Sequence, residues 1–319
     1  MHIFVTGASG FVGGRLVQVL AGHTDVRVTV AARGSHFTCA TAAQVVRFED
    51  LSTADFSAEL AGVDAVIHCA ARVHVMNDLE ADPLQAFRHI NVEGTLNVAR
   101  QAAEAGVRRF VFLSSIKVNG EGTEPGMPFT ADQPGNPADP YGVSKLEAEQ
   151  CLRELALATG MEVVIIRPVL VYGPGVKANF LNMMRWLHKG IPLPFGAIHN
   201  ARSLVALDNL VDLTILCARH PAAANQTFMV SDGEDLSTTQ LLRKMASALG
   251  KPARLLPVPA VLLRAAANVL GKGSLSQRLC GSLQVDIAKT RAVLGWTPPL
   301  SVDQALKVTA SDYMENEKT

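Results

Sequence analysis

The sequence predicts an α/β fold: a doubly wound parallel sheet with helices on both faces, followed by a smaller mixed α/β lobe. Three observations predict it. Short runs rich in β-branched residues alternate with longer helical stretches through the first half. Several of those runs are apolar throughout, as strands covered on both faces must be. The pattern then changes after Pro168, where 173–175 and 190–196 crowd glycine and proline together.

In chain order, strands are expected over 2–6, 26–32, 45–48, 65–69, 110–114 and 163–167. Helices are expected over 10–21, 83–105 and 141–159, each closing near a glycine (Gly22, Gly106, Gly160) able to take the left-handed cap. Beyond Pro168, helices are expected at 178–189, 208–219, 237–249, 261–270 and 301–313, with strands at 202–206 and 226–230. The division is a first domain over 1–168, to which some later segments return, and a lobe over 169–319.

Composition limits the function. With 319 residues, 48% of them apolar, the chain can bury sizeable cores and is not disordered. Its 29 basic and 29 acidic residues cancel without a run of like charge, which removes the electrostatic footprint of a nucleic-acid binder. Five scattered cysteines without a CxxC pair suggest neither a disulfide framework nor a zinc knuckle, so a reducing, cytoplasmic setting is expected. The histidines show no HExxH or paired spacing, so no metal site is expected. The opening residues lack a basic leader and a long apolar core, unlike a signal peptide. The most apolar later stretch, 255–270, holds two prolines and Arg264 and is too short for a transmembrane segment. It is expected as a buried or interface helix rather than a membrane-surface one.

Chemistry enters with Thr6-Gly7-Ala8-Ser9-Gly10-Phe11-Val12-Gly13. Three glycines at three-residue spacing, where a strand turns into a helix, allow close backbone approach beside free N–H groups and a positive dipole end. A dinucleotide pyrophosphate is the natural occupant, although GxxGxxG is not the standard GxGxxG spacing. The second strand ends in Arg33, Gly34 and Ser35 with no carboxylate for a ribose 2′-hydroxyl. Arg33 could grip a 2′-phosphate, which points to NADP(H) over NAD(H).

Tyr141 and Lys145 stand at i and i+4 on one helical face. A phenol is a poor base near neutrality, and a neighbouring ammonium would lower its proton affinity. Ser114 and Ser115 close an apolar strand at the sheet edge where open α/β folds bind ligands, so a hydroxyl there could hold a substrate oxygen beside the tyrosine.

Taken in order, these motifs resemble the extended short-chain dehydrogenases/reductases, a Rossmann-type family, and especially the branch of UDP-glucose 4-epimerase and related nucleotide-sugar enzymes. The resemblance covers nearly the whole chain: TGASGFVGG, VIHCAA at 66–71, INVEGT at 90–95, FLSSIKVNG at 112–120, YGVSK, RPVLVYGPG from Arg167, and VDIAKTRAVLGWTPP near the end. It implies Ser115 as the catalytic serine, Tyr141 as the acid/base, and Lys145 as the residue that binds nicotinamide ribose and lowers the tyrosine pKa. By the same resemblance Asp50 and Leu51 contact adenine, Ala70 and Ala71 line the cofactor, Pro168 lies near the carboxamide, and Asn91 fixes backbone at the site wall. Asn179, Phe180 and Arg202 match positions that bind the nucleotide diphosphate, with Arg278 nearby. The partner implied is a nucleotide-diphosphate sugar, UDP-linked, and the assembly a homodimer built on the helices at 83–105 and 141–159.

Departures concern the sugar. Leu170 stands where that branch has asparagine and Asn119 where it has an aromatic. Ser115-Ile116-Lys117 also lacks the acidic pair of the dehydratases. The expected reaction is hydride transfer at a hexose carbon, C4, with Arg33 tilting it toward reduction of a UDP-4-keto-sugar for surface polysaccharide synthesis. The alternatives are a UDP-glucose or UDP-N-acetylglucosamine 4-epimerase with tightly held NAD and, from a different class, a non-catalytic dinucleotide-sensing scaffold.

Overall fold

The computed structural model describes residues 1–34, 43–73, 82–124, 126–269, 277 and 279–317. Strands β1 (His2–Thr6), β2 (Arg27–Arg33), β3 (Gln44–Phe48), β4 (Ala65–His68), β5 (Arg109–Leu113) and β6 (Glu162–Pro168) lie within residue or two of their expected places. β7 (Leu170–Tyr172) was not expected; β8 (Leu204–Ala206) and β9 (Thr227–Val230) follow. One seven-stranded sheet runs β3-β2-β1-β4-β5-β6-β9, and all its pairings are parallel. β7 and β8 form a separate parallel pair, Leu170 against Leu204. Pro168 has no N–H with which to extend the ladder, so β6 stops there and the chain steps into this second sheet.

Alternation of side chains across the strands builds two cores. Ile3, Val5, Ile67 and Val111 face helices α1 (Phe11–Leu20) and α7 (Leu207–Arg219). Phe4, Val66, Phe110 and Phe112 face the other way, with α2 (Ser57–Leu60), α4 (Thr95–Glu104) and α5 (Pro140–Thr159). A third core, in the lobe, gathers α6 (Ala178–His188), α8 (Thr238–Ala248) and the last helix, Val302–Asn316, around Tyr172 and Leu242.

Three expectations change. The helix expected over 83–105 is α3 (Pro83–Arg88), a wider π-helical segment His89–Gly94, then α4. Gly22 does not take the left-handed cap; α1 closes on Ala21 in the right-handed region, whereas Gly106 and Gly160 have φ of 77° and 78°. Of the two places expected for the helix α9 (Ala260–Val269), buried or at an interface, the first is excluded, since it has no buried residue. Apolar composition alone could not reveal that, because burial depends on what the rest of the chain leaves to cover it. Among the described residues no helix is long and apolar enough to cross a membrane, and no cluster of three or more histidine, cysteine or acidic groups could hold a metal ion.

Candidate active site

β1 pairs with β2 on one side and β4 on the other, so the strand order reverses at its carboxyl end and opens a crevice there. The glycine turn fills that crevice's floor. Gly7 has φ of 74°, and a Cβ on it would lie 2.5 Å from the Ala70 nitrogen. A Cβ on Gly13 would lie 2.2 Å from the Gly7 carbonyl oxygen. Glycine is therefore required by backbone approaching backbone. Gly10 caps α1 through its main chain with no side-chain cap, so the first-turn amides of Phe11, Val12 and Gly13 keep unused donors. This cradle fits a dinucleotide pyrophosphate.

Around it, Arg33 is exposed at the end of β2, and Ser35 lies outside the described residues. The Asp50 carboxylate accepts from the Ser52 amide at 2.9 Å and pairs with His89 Nε2 at 2.8 Å. Those bonds, the Ser52 amide foremost, hold its pKa down at about 2. Leu51 is buried, against Gly94. Ala70 and Ala71 leave β4 half-buried, and the Ala70 amide donates to Thr6 Oγ1. Asn91 joins this wall to α5: its Oδ1 accepts from the Arg72 amide at 2.8 Å, while its Nδ2 donates to the Arg72 carbonyl at 3.1 Å and to Ser144 Oγ at 2.9 Å. His68, between the Thr6 and Thr95 hydroxyls, is pushed down to about 3 by burial and the nearby Lys145 charge, so it stays neutral.

Ser115, Tyr141 and Lys145 converge beside this wall. Ser115 follows β5 and caps a short 3-10 turn, accepting from the Lys117 amide. α5 begins at Asp139, whose Oδ1 accepts from the Gly142 amide at 2.7 Å and whose Oδ2 takes the Lys117 ammonium at 2.7 Å. That cap sets where Tyr141 sits. Burial pushes the phenol up to about 12; the Ser115 hydroxyl opposes this and Asp139 adds to it. Lys145 is 1% exposed, its ammonium 3.9 Å from the Phe112 ring centre, and burial drives its pKa down to about 7 against the pull of Glu149. The sequence suggested an amine holding the phenol's pKa down. In the chain by itself, desolvation of the phenol outweighs everything else.

The sequence reading missed the group behind them. Glu149, fully buried, accepts from Ser114 Oγ at 2.6 Å and from Arg167 at 2.9 and 2.6 Å, and Arg167 also donates to Asn119 Oδ1 at 3.0 Å. The signal was present: Glu149 lies four residues beyond Lys145 on the same face, and Arg167 is a cation inside an apolar strand. In the lobe, Asn179 lies in the exposed first turn of α6, while the Phe180 side chain is buried and stacks on Tyr172 at 5.3 Å. Arg202 Nη1 donates to the Gly281 carbonyl at 3.0 Å. Arg278 lies outside the described residues.

The NAD dependent epimerase/dehydratase family matches residues 3–231. A UDP-glucose 4-epimerase of Vibrio cholerae is 49% identical over 315 residues, covering 98% of this chain and 95% of its own. A UDP-glucuronic acid 4-epimerase from Bacillus cereus, solved with NAD, superposes with a TM-score of 0.80 over 99% of both chains at 21% identity. RMD from Pseudomonas aeruginosa, solved with NADPH, gives 0.74 over 98% of this chain and 99% of its own at 23% identity. Most of the similar structures solved with a cofactor carry NAD. This corrects the expectation of NADP(H) over NAD(H). Arg33 is a solvent-exposed guanidinium, a position that costs nothing to keep whether or not a 2′-phosphate is recognised.

Proposed function

Because the chain belongs to the NAD dependent epimerase/dehydratase family, in its nucleotide-sugar branch, we propose that it is a UDP-hexose 4-epimerase working with NAD(H). That it is an NAD(P)-dependent enzyme of nucleotide sugars follows from the family; the non-catalytic scaffold is set aside. The observation that carries the finer reading is the 49% identity, nearly end to end, to the Vibrio cholerae UDP-glucose 4-epimerase. It reverses the order of the two readings made from the sequence, in which Arg33 had put reduction first.

In this reading the amides from Gly7 to Gly13 hold the pyrophosphate, Asp50 and Leu51 the adenine end, and Ala70, Ala71 and Pro168 the nicotinamide end, with Lys145 at its ribose. Bound NAD supplies a hydride acceptor that becomes a donor at the same carbon. Tyr141 moves the proton of the sugar 4-hydroxyl, and Ser115 orients that oxygen. A phenol at about 12 is an acid at neutral pH, so its turn as a base requires cationic charge brought near; Lys145, one turn away, is the chain's own source. Asn91 is a positioning residue, tying the wall at Arg72 to the helix that carries Tyr141. Asn179 and Arg202 face the diphosphate, and Phe180 contributes through its place in α6. The proposed setting is the cytoplasm, with α3, α4 and α5 as the homodimer contact.

The test is incubation of purified protein with UDP-glucose, and separately with UDP-N-acetylglucosamine, without added cofactor. Conversion to the 4-epimer supports the proposal. No conversion, together with consumption of NADPH in the presence of a UDP-4-keto-6-deoxyhexose, would overturn it in favour of reduction.

A further inference from the structure

The active site leaves an exposed apolar helix unexplained. In α9, Val261 is 73% exposed, Leu262 59% and Val269 87%. Leu262, Ala265, Ala266 and Val269 share one exposed face at helical spacing, while Ala260, Leu263 and Ala267 are partly buried. The helix thus shows water the face that an amphipathic helix normally buries. The patch continues beyond it. Main-chain bonds from the Leu193 amide to the Arg254 carbonyl and from the Leu256 amide to the Leu193 carbonyl join the segment carrying Ile191 to that carrying Leu256. Both side chains are exposed, as is Trp186, whose carbonyl accepts from the Ile191 amide.

Charge indicates what this surface meets. Acidic and basic residues balance over the whole chain, yet no aspartate or glutamate occurs between Glu162 and Asp208, or between Asp235 and Asp286. These are the two segments that build the patch. Their cations include exposed Lys189, Lys251, Arg254 and Arg264. Lys244 and Arg185 are partly neutralised, by Glu234 and Asp303 and by Glu317 respectively. An apolar stripe with tryptophan near it, carried by two segments that hold cations and no acid of their own, is complementary to an anionic lipid surface.

We propose that α9 and the adjoining Trp186–Ile191–Leu256 surface dock this enzyme on the anionic face of a membrane. Docking places the substrate edge near lipid, because the segment bridged to Pro259 at Ala197 runs on to Arg202. It does not depend on which sugar reaction the enzyme performs.

The test is co-sedimentation of the full chain with phosphatidylcholine vesicles containing about 30% phosphatidylglycerol, and with phosphatidylcholine alone. The expected result is binding to the anionic vesicles, released by salt. Leu262→Gln with Val269→Ser should lower the bound fraction at least about tenfold, as should Lys251→Gln with Arg254→Gln and Arg264→Gln. Both variants should keep wild-type turnover of soluble substrate and wild-type melting, since every substituted residue is exposed. Equal binding of wild type and variants, or none by wild type, overturns the proposal. So does a wild-type dimer that the Leu262 and Val269 changes convert to monomer, which would make the occupant a second copy.

Discussion

Replacing Lys145 by methionine should stabilise the cofactor-free protein while abolishing turnover. The ammonium is almost completely buried, and burial moves its pKa from the ordinary 10.5 to about 7. Between those values the unfolded chain binds one proton more than the folded chain, so stability rises with pH across the window and the burial cost is fullest below about 7. At 1.36 kcal/mol per pKa unit, the cost relative to an uncharged side chain is about 4 to 5 kcal/mol at pH 7, about 2 at pH 9 and under about 1 at pH 10. Methionine fills the space over Phe112 without the charge. Glu149 is not stranded by the change, because Arg167 and Ser114 keep its oxygens bonded. Urea unfolding of both proteins, stripped of nucleotide, at half-unit steps from pH 6.5 to about 10 reads the difference. A Lys145→Met protein no more stable than wild type at pH 7, or an advantage that does not shrink as pH rises, would refute the reasoning.

Other consequences are separable. Tyr141→Phe should lower turnover by roughly a hundredfold to ten-thousandfold, with NAD affinity within a few-fold of wild type by titration calorimetry. Gly13→Ala drives a methyl into the Gly7 carbonyl, so NAD binding should be lost even where circular dichroism shows a folded chain. Glu149→Ala leaves the Arg167 guanidinium buried without its carboxylate and should cost about 3 to 5 kcal/mol in urea unfolding. Changing Arg167 to methionine as well should recover much of that loss. NADH should displace bound nucleotide more effectively than NADPH in a competition titration, and Arg33→Ala should leave that ranking unaltered.

The first six strands and the long helices were legible because each writes its own period into the chain: continuous apolar runs for strands covered on both faces, and a 3.6-residue repeat ended by glycine for helices. The glycine turn and the Tyr141–Lys145 spacing were legible for the same reason, since both are relations between near neighbours. Cofactor choice was read from Arg33 alone, and an exposed strand-end cation does not discriminate.

Tertiary structure decided what depends on distant segments meeting. Asn91, in the π-helical segment between α3 and α4, links β4's loop to α5 across 19 and 53 residues of sequence. Glu149 meets Arg167 only because α5 packs on the sheet, and that packing also sets how dry the Lys145 ammonium is. The apolar 255–270 stretch reads in sequence as a buried or interface helix, and the structure excludes burial: the lobe fills its core with α6, α8 and the last helix and leaves α9 outside. Local periodicity fixes which residues share a face; only the competition among all faces for a limited interior decides which of them water will see.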